Sequence, residues 1–155
     1  MLRIAVKSIS KARIKNSNGF SEKLAVLNSL KDGPIAESTP SANKQHYEVP
    51  TAFFEKVLGS KLKYSCSLFN NNQKSLNDAE TEMLETYIER AEIRSKQEIL
   101  DLGCGWGSFS LYAAQKFPNS NFTAVSNSDD QINFIKSKSK ELGITNLLAL
   151  KQDMN

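Results

Sequence analysis

The stretch that most constrains this chain is Ile99-Leu-Asp-Leu-Gly-Cys-Gly-Trp-Gly-Ser108. A short apolar run, Glu98 to Leu102, leads into glycines at 103, 105 and 107. Glycines placed this way let the backbone turn tightly after a strand and approach a ligand without Cβ clashes. The N–H groups at the start of a following helix then favour an anionic or carboxylate-bearing group. The downstream rhythm supplies that helix. Phe109 to Phe117 reads as a helix ended by Pro118-Asn119, and Phe122 to Val125 as a second strand. Asp129 to Leu142 reads as a helix with Ile132, Ile135 and Leu142 inward and Gly143 as its cap; Leu147 to Leu150 is a third strand. This alternation predicts parallel βαβ units in an α/β sheet. Right-handed crossovers set the strands side by side with their C-terminal ends along one edge, where open parallel sheets bind ligands. Three parallel strands amount to half of a doubly wound sheet with one edge unpaired, so the reading is that of an N-terminal fragment.

Upstream, residues 1–40 read as a basic leader and linker and 41–97 as a helical cap before the α/β part at 98–155. Leu24, Leu27 and Leu30 suggest a short helix ended by Gly33-Pro34. Pro50-Thr51 opens a second one carrying Phe53, Phe54, Val57 and Leu58, stopped by Gly59. Asn70 to Gln73 is a polar loop. Asn77 followed by Glu80 fits an N-cap and capping-box pair. The helix they open has Met83, Leu84, Tyr87, Ile88 and Ala91 on one apolar face.

Composition excludes several classes. At 155 residues the chain can hold one domain with a real core. No run approaches the roughly 18 apolar residues of a membrane span. A net charge of +3 is too small to argue for nucleic acid. Cys66 and Cys104 match no metal-ligand spacing, His46 is the single histidine, and no metal site is expected. Neither cysteine is expected in a disulfide, so a reducing, cytoplasmic setting is the default. Arg3, Lys7, Lys11, Arg13 and Lys15 all precede the first acidic residue, Glu22. Such a leader is a mitochondrial presequence or a basic amphipathic helix near an anionic surface, which leaves peripheral membrane contact open.

A dinucleotide fingerprint would place glycine at 108, where this chain has Ser108, and an acidic residue after the second strand, where it has Ser126-Asn127-Ser128. Both departures weigh against a nicotinamide cofactor. Leu100-Asp-Leu-Gly-Cys-Gly-Trp-Gly107 instead resembles the S-adenosyl-L-methionine loop of class I methyltransferases. With Cys-Gly-Trp-Gly, it is similar to the cyclopropane-fatty-acid synthase and mycolic-acid cyclopropane synthase superfamily. His46-Tyr47-Glu48 with Phe53-Phe54 resembles that family's entry segment, Tyr64-Ser65-Cys66 its cofactor clamp, and Ser126 to Gln131 its Ser/Thr…Gln element. The wording His46-Tyr-Glu-Val-Pro, Leu62-Lys-Tyr-Ser-Cys, Val125-Ser-Asn-Ser and Asp153-Met-Asn resembles the coclaurine N-methyltransferase-like branch, over roughly residues 34 to 155.

The resemblance implies the N-terminal part of a Rossmann-like class I methyltransferase fold, strands 1 to 3 of its parallel sheet, preceded by a helical cap. It implies that Tyr64 and Ser65, with backbone around Gly103, Cys104, Gly105 and Gly107, hold the methionyl end of S-adenosyl-L-methionine. Trp106 lines the same pocket, or packs only, as large aromatics often do. Ser126 and Gln131, flanking Asn127, reach the ribose, and Gln152, Asp153 and Met154 border the adenine. Asp101 orients the loop. Asp153 has a plainer reading as a helix cap, and Cys104 reads as a small neutral residue rather than a nucleophile. The implied acceptor is a small amine. The alternatives are an unsaturated phospholipid acyl chain and, in another class, a non-catalytic cofactor-binding fragment. In such a family the base and much of the acceptor pocket come from later sequence, so no catalytic residue is assigned.

Overall fold

A computed structural model describes residues 20–31, 33, 41, 49–70 and 75–153. The basic leader over 1–19, His46 to Glu48, residues 71–74 and Met154 lie outside the described residues. The chain divides into two compact units, Met1–Glu37 with Asn155, and Ser38–Met154. The first contains helix α1, Phe20–Lys31, on which Leu24, Val26, Leu27 and Leu30 are exposed.

The second unit runs α2 (Thr51–Val57), α3 (Leu76–Arg90), β1 (Glu98–Leu102), α4 (Ser108–Lys116), β2 (Asn121–Ser126), α5 (Asp129–Glu141) and β3 (Leu147–Lys151). The start of α3 differs from the expectation. Ser75 is its N-cap: the hydroxyl accepts from the Asp78 amide, and the Asp78 carboxylate accepts from the Ser75 amide. Ser75-x-x-Asp78 therefore forms the capping box two residues ahead of the expected pair. Asn77 and Glu80, freed from that job, lie inside the helix and reach the 59–63 loop. Asn77 Oδ1 accepts from the Ser60 amide at 2.7 Å. Glu80 Oε1 accepts from the amides of Gly59 (2.9 Å) and Lys63 (3.2 Å), and Oε2 from that of Lys61 (2.9 Å).

The three strands form one parallel sheet in the order β1-β2-β3. The register aligns Ile99, Phe122 and Leu147 in one row and Asp101, Ala124 and Ala149 in another on the same face. That face carries the core. Ala124 and Ala149 pack with Leu111, Ile132 and Ile135, and Phe122 packs with Ala113 and Ala114. Small residues in the Ala124–Ala149 row let α4 and α5 sit close to the strands. On the opposite face Leu100, Leu102, Leu148 and Leu150 are exposed. Leu142, expected inward, is the C-cap of α5 and is exposed, because the helix ends one residue earlier. The α/β class and the three parallel strands are as the sequence predicts. Among the described residues no helix is long and apolar enough to cross a membrane.

Candidate functional site

The glycine turn is pinned to the second strand. The amides of Gly103 and Cys104 both donate to the Val125 carbonyl at 3.0 Å, holding the loop across the C-terminal ends of β1 and β2. The glycines then divide into two kinds. A Cβ on Gly103 or Gly105 would meet nothing within 4 Å, so the loop presents bare backbone to open space there. At Gly107, with φ +74°, a Cβ would lie 2.6 Å from Ile135 Cγ1. Gly107 is the N-cap of α4 and lets that helix pack against α5, a structural duty that the spacing alone does not separate from the other two.

Beside the loop is a cavity of about 250 Å³, and it gathers most of the expected site. Tyr64, Ser65, Asp101, Gly103, Cys104, Gly105, Trp106 and Gln131 all line it. Gly107, Ser126, Asn127, Gln152 and Asp153 do not. Ser126 instead serves Gln131: its hydroxyl donates to Gln131 Oε1 at 2.7 Å and accepts from the Ser128 amide at 3.1 Å. This fixes the Gln131 amide and leaves its Nε2 donor buried without a protein partner. Gln152 donates its amide to the Ser126 carbonyl at 2.9 Å, extending the β2–β3 ladder to the edge of the site.

Asp101 accepts from the Ser110 hydroxyl at 2.5 Å, tying the end of β1 to α4. Burial raises its carboxyl above the ordinary range, partly opposed by that hydrogen bond. Burial, and then the Asp101 charge, push the Cys104 thiol up to about 12. A thiol held that high carries no thiolate at neutral pH, so Cys104 acts as a small neutral residue.

Trp106 both packs and lines the cavity. It is 1% exposed, with ring centroids 5.0 Å from Phe54 on α2 and 5.6 Å from Phe134 on α5. Phe54 in turn meets Tyr64 edge-on at 4.9 Å. One aromatic chain thus links α5, the glycine loop, α2 and the Tyr64 clamp. Lys63 and Tyr87 also line the cavity. From sequence alone Lys63 has no role within Leu62-Lys-Tyr-Ser-Cys, and Tyr87 falls on the apolar face of α3. The contact that reveals both, Lys63 Nζ to Tyr87 Oη at 3.1 Å, spans 24 residues and leaves no local pattern.

The family model described as mycolic acid cyclopropane synthetase matches residues 36–153. The chain belongs to this family. Among curated members, the chain is 42% identical over 139 residues to (S)-coclaurine N-methyltransferase of Thalictrum flavum subsp. glaucum, covering 87% of this chain and 38% of that protein. It is 37% identical over 131 residues to (S)-tetrahydroprotoberberine N-methyltransferase of Eschscholzia californica, covering 84% and 37%. It thus spans well under half the length of these relatives. Among solved structures, coclaurine N-methyltransferase bound to N-methylheliamine and SAH superposes with a TM-score of 0.88 at 34% identity, over 98% of this chain and 46% of that one. A mycolic acid cyclopropane synthase complexed with SAH and CTAB, at TM-score 0.63 and 23% identity over 68% of this chain and 37% of that one, shares the fold. The second unit therefore has the class I methyltransferase fold, in the part spanning three parallel strands and their helices.

Proposed function

We propose that the protein is an S-adenosyl-L-methionine-dependent methyltransferase acting on a small amine. The observation that carries this reading is the convergence of the Tyr64-Ser65 clamp, the bare backbone at Gly103 and Gly105, and the unpartnered Gln131 Nε2 on one cavity. The residues fit the group. The clamp offers a hydroxyl and an aromatic ring for the methionyl end, the loop offers backbone without Cβ obstruction, and Gln131 Nε2 offers a donor to a ribose oxygen. Ser126 supports it by orienting Gln131, and Gln152 and Asp153 follow β3, the segment to which the resemblance assigns the adenine. When bound, the cofactor supplies an electrophilic methyl group for in-line displacement, for which positioning carries much of the catalysis. The chain's own residues hold and orient, and no proton-transfer role is assigned to them. The N-methyltransferase relatives support an amine acceptor over a lipid one. The proposed location is the cytoplasm, with mitochondrial import as the alternative that the basic, acid-free stretch before Glu22 suggests.

The test supplies the full-length protein with methyl-labelled cofactor and, in separate reactions, small secondary amines and vesicles of unsaturated phospholipid. Label in the amine fraction is the expected result. Label in the acyl chains alone would replace this acceptor with the lipid alternative, and label in neither would remove the methyltransferase reading.

A further inference from the structure

Lys63 is 3% exposed, and among the described residues it makes no ion pair. Its ammonium instead spends its three N–H bonds on neutral oxygens: Ser65 Oγ at 2.6 Å, the Cys66 carbonyl at 2.7 Å and Tyr87 Oη at 3.1 Å. It also lies 4.8 Å from the centroid of the Tyr87 ring. A buried ammonium without a carboxylate partner is costly, and these groups compensate it with dipoles rather than with charge.

This arrangement fixes the polarity of the clamp. A serine hydroxyl has one proton and two lone pairs. In Ser65 the ammonium claims a lone pair, so the hydroxyl proton must point away from Lys63. Accepting from a cation also polarises that O–H into a stronger donor. Ser65, Lys63 and Tyr87 all line the cavity beside the glycine loop. The Ser65 hydroxyl proton is therefore free to donate to a ligand in the cavity, with the ammonium behind it. Such a site suits a carboxylate and disfavours a bare ammonium.

We infer that Lys63 is a positioning residue that makes this clamp selective for the carboxylate of the ligand's amino-acid end, acting through the Ser65 hydroxyl. The inference rests on the cofactor reading above and names the part of the ligand that the clamp distinguishes. Lys63 serves affinity rather than chemistry, and its effect is confined to ligands that carry the carboxylate.

The test compares calorimetric affinities of the wild-type protein and Lys63→Met for two probes, S-adenosylhomocysteine and 5′-methylthioadenosine, which lacks the amino-acid end. Lys63→Met is expected to weaken S-adenosylhomocysteine binding by about tenfold or more, the scale of one lost charge-assisted hydrogen bond, while methylthioadenosine binding stays unchanged. Lys63→Gln, which keeps a donor and drops the charge, gives the same selective loss if the methionine variant does not fold. Equal weakening of both probes, or of neither, would overturn the assignment of Lys63 while leaving the cofactor site standing. Failure of the wild-type protein to bind either probe would overturn the cofactor reading and this inference with it.

Discussion

Replacing Glu80 with alanine is expected to destabilise the second unit by about 3–5 kcal/mol and to free the 59–63 loop from α3. Glu80 is fully buried and accepts three backbone amides from that loop. Its removal leaves three amides without their acceptor, two of them buried and that of Lys61 partly so, each costing up to about 1–3 kcal/mol, with relief as the loop relaxes. Gly59 belongs to the same arrangement, because a Cβ there would sit 2.4 Å from Glu80 Oε2. Glu80→Gln keeps one carbonyl oxygen but turns an amide donor toward one of the loop N–H groups, so it should fall between wild type and alanine. Chemical denaturation measures all three. Amide hydrogen exchange should show fast exchange at 59–63 in Glu80→Ala under native conditions. A variant with wild-type stability and protected loop amides would contradict the assignment.

Trp106→Ala should cost a similar amount, about 3–5 kcal/mol, by opening a cavity between α2 and α5. The ring touches Phe54 and Phe134, and Phe54 backs Tyr64, so the loss extends from the glycine loop to the clamp. Trp106→Phe retains the aromatic chain with less volume and should cost roughly a third as much. Thermal melts give the order wild type, phenylalanine, alanine. Cofactor affinity in the still-folded Trp106→Phe protein separates packing from contact: unchanged affinity marks Trp106 as packing alone.

The α/β layout was legible because each strand and helix in 98–151 carries its own local pattern. The apolar runs, the glycine turn, Pro118-Asn119 and Gly143 place the elements within a residue or two. The Ser75 cap is not separable in sequence from Asn77 and Glu80, which also satisfy the pattern, and only the fold shows those two engaged with the 59–63 loop. Sequence could likewise group Gly103, Gly105 and Gly107 but not divide them, since the division depends on where Ile135 comes to rest. At the site, the resemblance points to Tyr64, Ser65 and Gln131, which line the cavity, and to Ser126, whose hydroxyl donates to Gln131 behind it. The pairing of Lys63 with Tyr87 and the engagement of Glu80 with the 59–63 loop come from contacts 17 to 24 residues apart, which no local motif records.

The most direct measurement titrates the protein with S-adenosylhomocysteine by calorimetry and by the fluorescence of Trp106, its only tryptophan, with Gly105→Asp as the control. Gly105 has φ +55° and open space at its Cβ position, and aspartate is among the residues that tolerate this conformation. The substitution should therefore leave the melting temperature close to wild type while placing a side chain where the ligand approaches. Saturable binding by wild type that is abolished in a folded Gly105→Asp protein is the expected result. A folded wild-type protein that binds nothing, or a Gly105→Asp protein that binds as tightly as wild type, would contradict a cofactor site at this loop.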